Sequence, residues 1–459
     1  MRTRPGFLIA FSLVIASQAA EGLAGRLWDK VACQADTSQL YALYVPAAYT
    51  AEKRWPVIFC FDPGARGKVP VERLQAAAER YGYIVAGSLN SRNGPWAANA
   101  AAIQAMVWDV ESHLAIDGRR IYTAGLSGGA RVATQVALGG VAKGVIACSA
   151  GFPSSEDGIP GKVPFVFFGT AGSEDFNHGE LWRLDGELES RKASHRIVFF
   201  NGGHEWASVA LLTEAVEWLE LQAMKAGTRA KDEAFVLAQW ESRLAAVPAE
   251  PVLATWRAQK ALVADFKGLR DVGELERAAK ELGAARPVKD ALKAERQAQQ
   301  QEDDQIAELA ELANGGGAGR MRKLSAELRQ QAAAPEDTPA RQMARRVIAG
   351  FGSSGREATR SLFESGDYGE AAELLEMLVA FRPEQARTLY DLARARAGAG
   401  DRAKALAALG QAAEAGFADA ARVEAEVLFK KLIAEPAYRA ALTKIRGNPP
   451  EPAGRGRPR

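Results

Sequence analysis

Six short apolar runs, separated by stretches with helical periodicity, occupy the first half of the chain and limit the folds open to it. Such runs, rich in β-branched and aromatic residues and bounded by turn residues, predict buried strands. They lie at 55–61, 83–89, 120–125, 144–150, 163–170 and 195–201, with helical patterns between them. Near-continuous apolar strands that alternate with helices are typical of the α/β class, in which helices cover both faces of a mainly parallel sheet. We therefore expect one such domain over residues 24–225.

The α/β pattern changes at both ends of this region. Two apolar segments near its start, KVACQA and LYALYVPAAY, predict an antiparallel hairpin at the edge of the sheet. After residue 225 the strand pattern disappears, and residues 228–350 are rich in Ala, Glu, Lys, Arg and Gln at helical spacing, which predicts a helical linker region. At 459 residues the chain is too long for one ordinary core, so several domains are expected.

A repeat appears in the last quarter of the chain. The segment 365–383 aligns with 399–417 at an offset of 34 residues, which is the tetratricopeptide (TPR) period. The aligned pairs are Gly366 with Gly400, Asp367 with Asp401, and Ala371 with Ala405. Residues 352–445 therefore resemble TPR-like helical repeats, which implies a protein partner, although unrelated alanine-rich helices are the alternative. The composition of the tail, 446–459, predicts disorder.

The N-terminal 20 residues have the pattern of a signal peptide. Arg2 and Arg4 form a basic start, an apolar run follows at 7–16, and small residues lie at 17–19. The apolar run is too short for a membrane-spanning helix, and no later segment approaches 18 apolar residues. The sequence thus predicts a secreted or periplasmic protein without an integral membrane segment. A buried N-terminal helix is the alternative.

Charge and cysteine content narrow the possible ligands. The formal net charge is +2, which is the contribution of Arg2 and Arg4 alone, so a nucleic-acid partner bound through a basic surface is not expected. Cys33, Cys60 and Cys148 show no zinc-type spacing and no disulfide framework, although one disulfide involving Cys33 stays open. We expect neither a metal nor an organic cofactor.

The pattern G-x-S-x-G occurs as GLSGG at 125–129. It lies after a predicted strand and before a helical pattern at 130–138, which is the context in which this pattern is meaningful. A sharp strand-to-helix turn strains the serine backbone, and the flanking glycines leave room for it. The helix N-terminus then favours negative charge beside the hydroxyl. This context predicts that Ser127 is a nucleophile. A glycine-rich turn that merely packs strand against helix is the alternative.

A nucleophilic serine needs a base, and the chain has four histidines. His204 directly follows the strand at 195–201, at the carboxyl edge of the sheet where the GLSGG turn also lies. His178, in the loop after the preceding strand, is the weaker candidate. The other two are expected to be surface or packing residues, namely His113 and His195.

The base in turn needs a carboxylate that holds its tautomer and orientation. The loop after the strand at 163–170 supplies Glu174 and Asp175. Asp175 is favoured because it lies a few residues past the strand end, where the loop can aim it at His204, and Glu174 stays open as the alternative. The order Ser127, Asp175, His204 is the nucleophile–acid–histidine order of α/β-hydrolases.

Residues 40–222 resemble an α/β-hydrolase of the esterase, depolymerase and dienelactone-hydrolase kind. The resemblance is carried by VIFCFDPGARG (57–67), GLSGGAR (125–131), GTAGSED (169–175) and GGHEW (202–206). It implies a serine hydrolase that cleaves carboxylic esters through an acyl-enzyme, with Gly128 providing the first amide of the oxyanion hole. The alternatives are a serine peptidase on the same scaffold and a low-turnover scaffold protein that acts through its TPR-like repeats.

The loop at 62–67, DPGARG, departs from the His-Gly-Gly that this family usually has there. Asp62 replaces the histidine, and the proline after it has no N–H to donate. The second oxyanion donor is then Gly64 or Ala65, and Gly64 is favoured. The Asp62 side chain is expected to turn into the loop and to pair with Arg66 or Arg131.

Another segment, 88–100, follows the strand at 83–89 and ends at the same edge of the sheet. Loops at this edge of a rigid scaffold commonly bind substrate. Asn90, Arg92 and Trp96, together with Asn93, are therefore predicted to line the substrate cleft. A plain turn with the tryptophan packed on the surface is the alternative.

Overall fold

The computed structural model describes residues 13–14, 20–154, 158–315 and 317–450. Most of the segment 1–20 and the residues 451–459 lie outside this part of the chain, so the signal peptide and the disordered tail stay predictions. The chain divides into two compact units, one that ends at Gln297 and one that begins at Ala298.

The first unit is built on a sheet that has nine strands within the described residues. They are β1 (Leu13–Val14), β2 (Arg26–Ala32), β3 (Leu40–Val45), β4 (Trp55–Phe61), β5 (Ile84–Ser88), β6 (Ile116–Leu126), β7 (Gly144–Cys148), β8 (Val166–Gly172) and β9 (His195–Phe200). Their spatial order is β1-β2-β3-β5-β4-β6-β7-β8-β9. All pairs from β5 to β9 are parallel, whereas β3 runs antiparallel to both β2 and β5. The predicted antiparallel hairpin is therefore present, but β1 pairs with β2 outside it, so the hairpin is not the edge of the sheet.

Helices connect the parallel strands and continue after the last one. Those between or directly after strands are α1 (Lys68–Tyr81), α2 (Trp96–His113), α3 (Gly128–Leu138), α4 (His178–Ser190) and α5 (Val209–Lys225). Those that follow are α6 (Glu233–Ala245), α7 (Val252–Phe266), α8 (Gly273–Ala284) and α9 (Arg286–Gly315), which continues into the second unit.

The central strand β4 shows how both faces of the sheet are covered. Its side chains alternate, as the pleat of a strand requires. Ile58 and Cys60 pack in a cluster with residues of α1 and α5, whereas Val57 and Phe59 pack in another cluster with residues of α2, α3 and α4. All four are fully buried. The first unit is therefore an α/β fold with a mainly parallel sheet between two helical layers, as predicted.

The strand bounds match the sequence patterns at some strands and differ at others, such as β8, which begins at Val166 and not at 163. The bounds of β4 are the predicted ones, 55–61. By contrast, β6 begins at Ile116, before the predicted 120–125, because Ile116 pairs with Trp55 across the sheet. The polar residues after Ile116 interrupt the apolar run and hide this longer strand.

Helices α6 and α7 are joined to the sheet by a buried carboxylate. Asp265 on α7 is 2% exposed and accepts hydrogen bonds from Trp218 Nε1 of α5 (2.6 Å), Arg196 Nη1 of β9 (2.6 Å) and Arg243 Nη1 of α6 (3.0 Å). The sequence predicts a boundary at 225–228, whereas the compact unit continues to Gln297. The contacts of Asp265 join residues far apart along the chain, and such contacts produce no periodic pattern in the sequence that would reveal the longer unit.

The three cysteines are buried, and their thiols are free. Cys60 lies in β4 and Cys148 in β7, both inside apolar strands, as expected for small core residues.

The second unit is helical throughout its described residues, with turns and one 3₁₀ segment between the helices. After the end of α9 come α10 (Ala318–Ala332), α11 (Pro339–Ser365), α12 (Tyr368–Phe381), α13 (Ala386–Gly398), α14 (Arg402–Glu414), α15 (Ala420–Ala425) and α16 (Pro436–Gly447). None of the helices in the described ranges is long and apolar enough to cross a bilayer.

The predicted repeat register recurs at two helix starts of this unit. Gly366 and Gly400 both have φ of 83°, and each is followed by the aspartate that precedes a helix, α12 or α14. Ala371 and Ala405 are both fully buried at the same position of these helices. The assignment of the repeats to the TPR class stays a prediction.

Replacing Asp265 by Ala should strongly destabilise the first unit, because three buried donors lose their acceptor. Removing one partner of a buried charge network typically costs about 3–5 kcal/mol. Urea unfolding monitored by circular dichroism measures this loss. The control is Glu276→Ala, which breaks only an exposed pair with Lys267 and should barely move the midpoint. Equal midpoints for the two variants would contradict the assigned role of Asp265.

Candidate active site

Ser127 occupies a strained turn between β6 and α3. Its φ is 55° and its ψ is −123°, a region that a residue with a side chain rarely adopts. Its N–H donates to Cys148 O of β7 at 2.8 Å. A Cβ added at Gly125 would clash with Gly129 O, and one added at Gly129 would clash with Phe61 O. Only glycines at these two positions let the start of α3 lie against the ends of β6 and β4. Ser127 lies between them at the end of β6 and is partly exposed.

His204 and Asp175 meet at the same edge of the sheet, past the ends of β9 and β8. His204 Nδ1 lies 2.8 Å from Asp175 Oδ1, which also accepts the N–H of Asn177 at 2.9 Å. Asp175 is fully buried, while the His204 side chain is 19% exposed. Because an ionised carboxylate only accepts hydrogen bonds, the Nδ1 of His204 must donate. A neutral ring then keeps its free lone pair on Nε2.

Two neighbours of Asp175 that belong to no recognisable motif support this pair. The Phe176 ring stacks on the His204 ring, with centroids 4.0 Å apart and an interplanar angle of 21°. The Asn177 side chain donates to Ser149 O at 2.7 Å and so joins the acid loop to the end of β7. Their position beside the candidate acid in SEDFN is the only sequence signal for them.

The other histidines lie in different surroundings. His113 contacts Asp109 O at 2.7 Å, and His178 begins α4 with its ring 4.6 Å from that of Phe199. His195 Nε2 lies 3.3 Å from Asp185. Burial alone would lower the pKa of His195, but the bond with Asp185 and a backbone carbonyl outweigh burial and raise it.

The amides predicted for the oxyanion hole differ in availability. Gly128 begins α3, so its N–H has no acceptor within the helix. The Gly64 N–H, in contrast, donates to Asp62 Oδ1 at 2.9 Å, and the Ala65 N–H donates to Asp62 O at 3.1 Å. The structure thus corrects the expectation that Gly64 offers a free donor, because the buried carboxylate of Asp62 already takes it.

Asp62 itself turns into the 62–67 loop, as predicted. It is fully buried and accepts hydrogen bonds from Arg66 Nε (2.8 Å) and Trp206 Nε1 (2.9 Å). Burial alone would raise the pKa of Asp62, but these hydrogen bonds and the one from Gly64 outweigh burial and lower the pKa below its usual value. The other arginine considered, Arg131, pairs with Glu180 instead. Because Trp206 closely follows His204, Asp62 joins the 62–67 loop to the histidine loop.

The residues predicted to bind substrate differ in their surroundings. The Asn90 side chain accepts a hydrogen bond from Leu40 N (2.7 Å) and donates one to Ser38 O (3.0 Å), near the start of β3. Asn90 is therefore a structural residue, which corrects the prediction that it lines the substrate cleft. Arg92 is exposed, and Trp96, at the start of α2, is 49% exposed.

Buried Asn99, which no sequence pattern marks, shapes this segment. Its side chain accepts from Ser91 Oγ (2.8 Å) and from the N–H of Arg92 (2.9 Å), and it donates to Arg92 O (2.9 Å). The loop before α2 is therefore rigidly held. Within the described ranges, no group of three or more His, Cys, Asp or Glu residues is placed to hold a metal ion.

Comparison with known proteins finds similarity in solved structures only. No family model matches the sequence, and no curated protein matches it. Similar structures include FphF, a fluorophosphonate-binding serine hydrolase of Staphylococcus aureus (12% identity, 39% of this chain and 92% of that chain, TM-score 0.33). An esterase of Pyrobaculum calidifontis is also similar (12% identity, 45% of this chain and 89% of that chain, TM-score 0.36). So is esterase LipW of Mycobacterium marinum (18% identity, 44% of this chain and 83% of that chain, TM-score 0.34). Each match covers less than half of this chain.

The fold class follows from the architecture of the first unit. The order of the parallel strands, the antiparallel β2 and β3 at one side, the helices on both faces and the glycine-flanked serine turn after β6 together define the α/β-hydrolase fold. A helix-rich region follows it.

Replacing Asp62 by Asn should destabilise the fold in a pH-dependent way. The pKa of Asp62 is lower in the folded than in the unfolded chain, so its negative charge stabilises the fold above about pH 4. This stabilisation is lost as the pH falls through the pKa that Asp62 has in the folded chain. We expect a loss of about 1–3 kcal/mol at pH 7 and a smaller difference from wild type in acid, both measured by urea unfolding.

The matched control for this prediction is Asp271→Asn. Asp271 also accepts the N–H two residues ahead, from Gly273 at 2.9 Å, but it is exposed. Its replacement should leave the midpoint nearly unchanged. An Asp62→Asn difference that stays constant from pH 7 into the acid range would contradict the role assigned to the charge.

Proposed function

We propose that this protein is an exported serine hydrolase that cleaves carboxylic esters through an acyl-enzyme. The observation that supports this best is the 2.8 Å contact between His204 Nδ1 and the buried Asp175. It lies at the carboxyl edge of the parallel strands, where the strained Ser127 turn also lies. Nucleophile, base and orienting acid are the three groups that acyl transfer by a serine requires.

In the proposed reaction Ser127 Oγ attacks the ester carbonyl while His204 Nε2 takes its proton. Asp175 remains ionised and stabilises the imidazolium through Nδ1. The Gly128 N–H donates to the oxyanion of the tetrahedral intermediate. The intermediate collapses, the protonated His204 gives its proton to the leaving alcohol, and an acyl-serine remains. Water, activated by the same base, then releases the acid and restores the serine.

One observation favours the alternative of a low-turnover scaffold protein. The Gly64 N–H is bound to Asp62 Oδ1, so a donor that hydrolases of this kind use is occupied. Loss of one oxyanion donor typically costs about 10²–10³-fold in kcat. In that case the protein would act through a partner of its TPR-like repeats.

Labelling with a fluorophosphonate tests the proposed chemistry, because such probes react with an activated serine. We expect covalent labelling of Ser127 in the folded protein and hydrolysis of short p-nitrophenyl esters, both abolished in Ser127→Ala. Mass spectrometry of the labelled peptide and absorbance assays are the measurements. Ser242→Ala, an exposed serine of α6, is the matched control and should behave as wild type.

The outcomes separate the alternatives. Hydrolysis of dipeptide anilides in preference to esters would replace the esterase by a peptidase. Absence of labelling at Ser127 in folded protein would exclude both enzymes and leave the scaffold protein.

Export is tested independently of catalysis. If the first residues are a signal peptide, protein recovered from the periplasm or medium should begin near residue 20, as N-terminal sequencing would show. An intact Met1 on otherwise soluble protein would speak against export.

A further inference from the structure

The 62–67 loop leaves the candidate oxyanion hole short of one donor. Pro63 has no N–H, and the amides of Gly64 and Ala65 both donate to Asp62. The Asp62 carboxylate is fully buried and held by Arg66 and Trp206, so it is fixed in place as an acceptor. The two amides expected to act as the second donor are thus occupied, which directs attention to the side chains of the neighbouring segment.

Asn93 lies where this loop meets the serine turn. Its backbone N–H donates to Pro63 O at 3.0 Å, which attaches the segment before α2 to the 62–67 loop. Its side-chain amide lies directly against Gly128: a Cβ built on Gly128 would overlap Asn93 Oδ1, and it would lie 2.9 Å from Cγ and 3.4 Å from Nδ2. A side chain able to donate is thus adjacent to the residue that carries the first proposed oxyanion donor.

We infer that the Asn93 side-chain amide is the second oxyanion donor of this site, in place of a backbone amide of the 62–67 loop. This inference rests on the proposed function. Rotation of the terminal amide by 180° exchanges Oδ1 and Nδ2 at almost the same positions. An oxyanion is a pure acceptor, so it selects the orientation in which Nδ2 points toward it. Asn93 donates a hydrogen bond and transfers no proton.

The surroundings of Asn93 suit this role. Its side chain is exposed to solvent, so a substrate carbonyl can reach it. Its backbone is held from both sides, by Pro63 and by the loop that Asn99 fixes through Arg92. A donor that is already in place when charge develops needs little reorganisation, which is the basis of oxyanion stabilisation.

The test compares wild type, Asn93→Ala and Asn93→Asp on p-nitrophenyl acetate. We expect kcat to fall by about 10²–10³-fold in Asn93→Ala with KM little changed, because the bond forms only in the transition state. The pH profile should keep the inflection of wild type, since the base is unaltered. Asn93→Asp keeps the shape of the side chain but only accepts hydrogen bonds, so it should be at least as impaired.

A tetrahedral adduct provides a second measurement. The affinity for a trifluoromethyl ketone, which forms an oxyanion on Ser127, should fall in both Asn93 variants in parallel with kcat. Gln104→Ala, which removes an exposed amide of α2, is the control and should match wild type. Thermal unfolding of all variants should be unchanged because the Asn93 side chain is exposed.

The results distinguish failure of the Asn93 inference from failure of the proposed function. Active wild type with Asn93→Ala within threefold of its kcat would overturn this inference alone. Nearly full activity of Asn93→Asp would also overturn it, since that result would assign Asn93 a role in shape only. Wild type without ester hydrolysis and without labelling at Ser127 would overturn the proposed function and this inference with it.

Discussion

The close approach of three backbone segments at the end of β4 and β6 determines the geometry of the candidate site. Gly125 and Gly129 let the start of α3 contact the ends of both strands, where any side chain would clash with a carbonyl oxygen. Ser127 lies between these two glycines in its strained conformation, and Gly129 lies against the start of the 62–67 loop. Replacing either glycine would separate the helix from the strands, so the position of the candidate nucleophile depends on an interaction that involves no side chain.

Asp62 extends this arrangement to the base. Its buried carboxylate accepts hydrogen bonds from the 62–67 loop and from Trp206, and Trp206 closely follows His204. A histidine at this position would leave the Gly64 amide free, whereas a carboxylate takes it. Asp62 thus connects the 62–67 loop to the loop that carries His204, and it occupies the Gly64 amide. The exposed amide of Asn93 lies against Gly128, so in the proposed reaction it is the donor nearest to hand.

Much of this architecture is readable from the sequence, and the remainder has physical reasons for being hidden. The strand β4 and the turn at Ser127 are local patterns, so they appear in the sequence directly. The contact between His204 and Asp175 follows from parallel topology, because strand ends that share an edge bring their loops together. The role of Asn90 does not follow, since its partners lie in a hairpin some 50 positions earlier in the chain. The hydrogen bond from Trp206 to Asp62 is hidden for the same reason.

The helices after α5 contribute to the site through the edge of the sheet. Within the described residues β9 pairs with β8 alone, so only one ladder of hydrogen bonds holds it, and edge strands need other support. Arg196 of β9 provides this support by binding Asp265 of α7, which also binds Trp218 of α5. His204 lies four residues beyond β9. The position of the candidate base therefore depends on a carboxylate from a helix that the sequence pattern alone places outside the hydrolase domain.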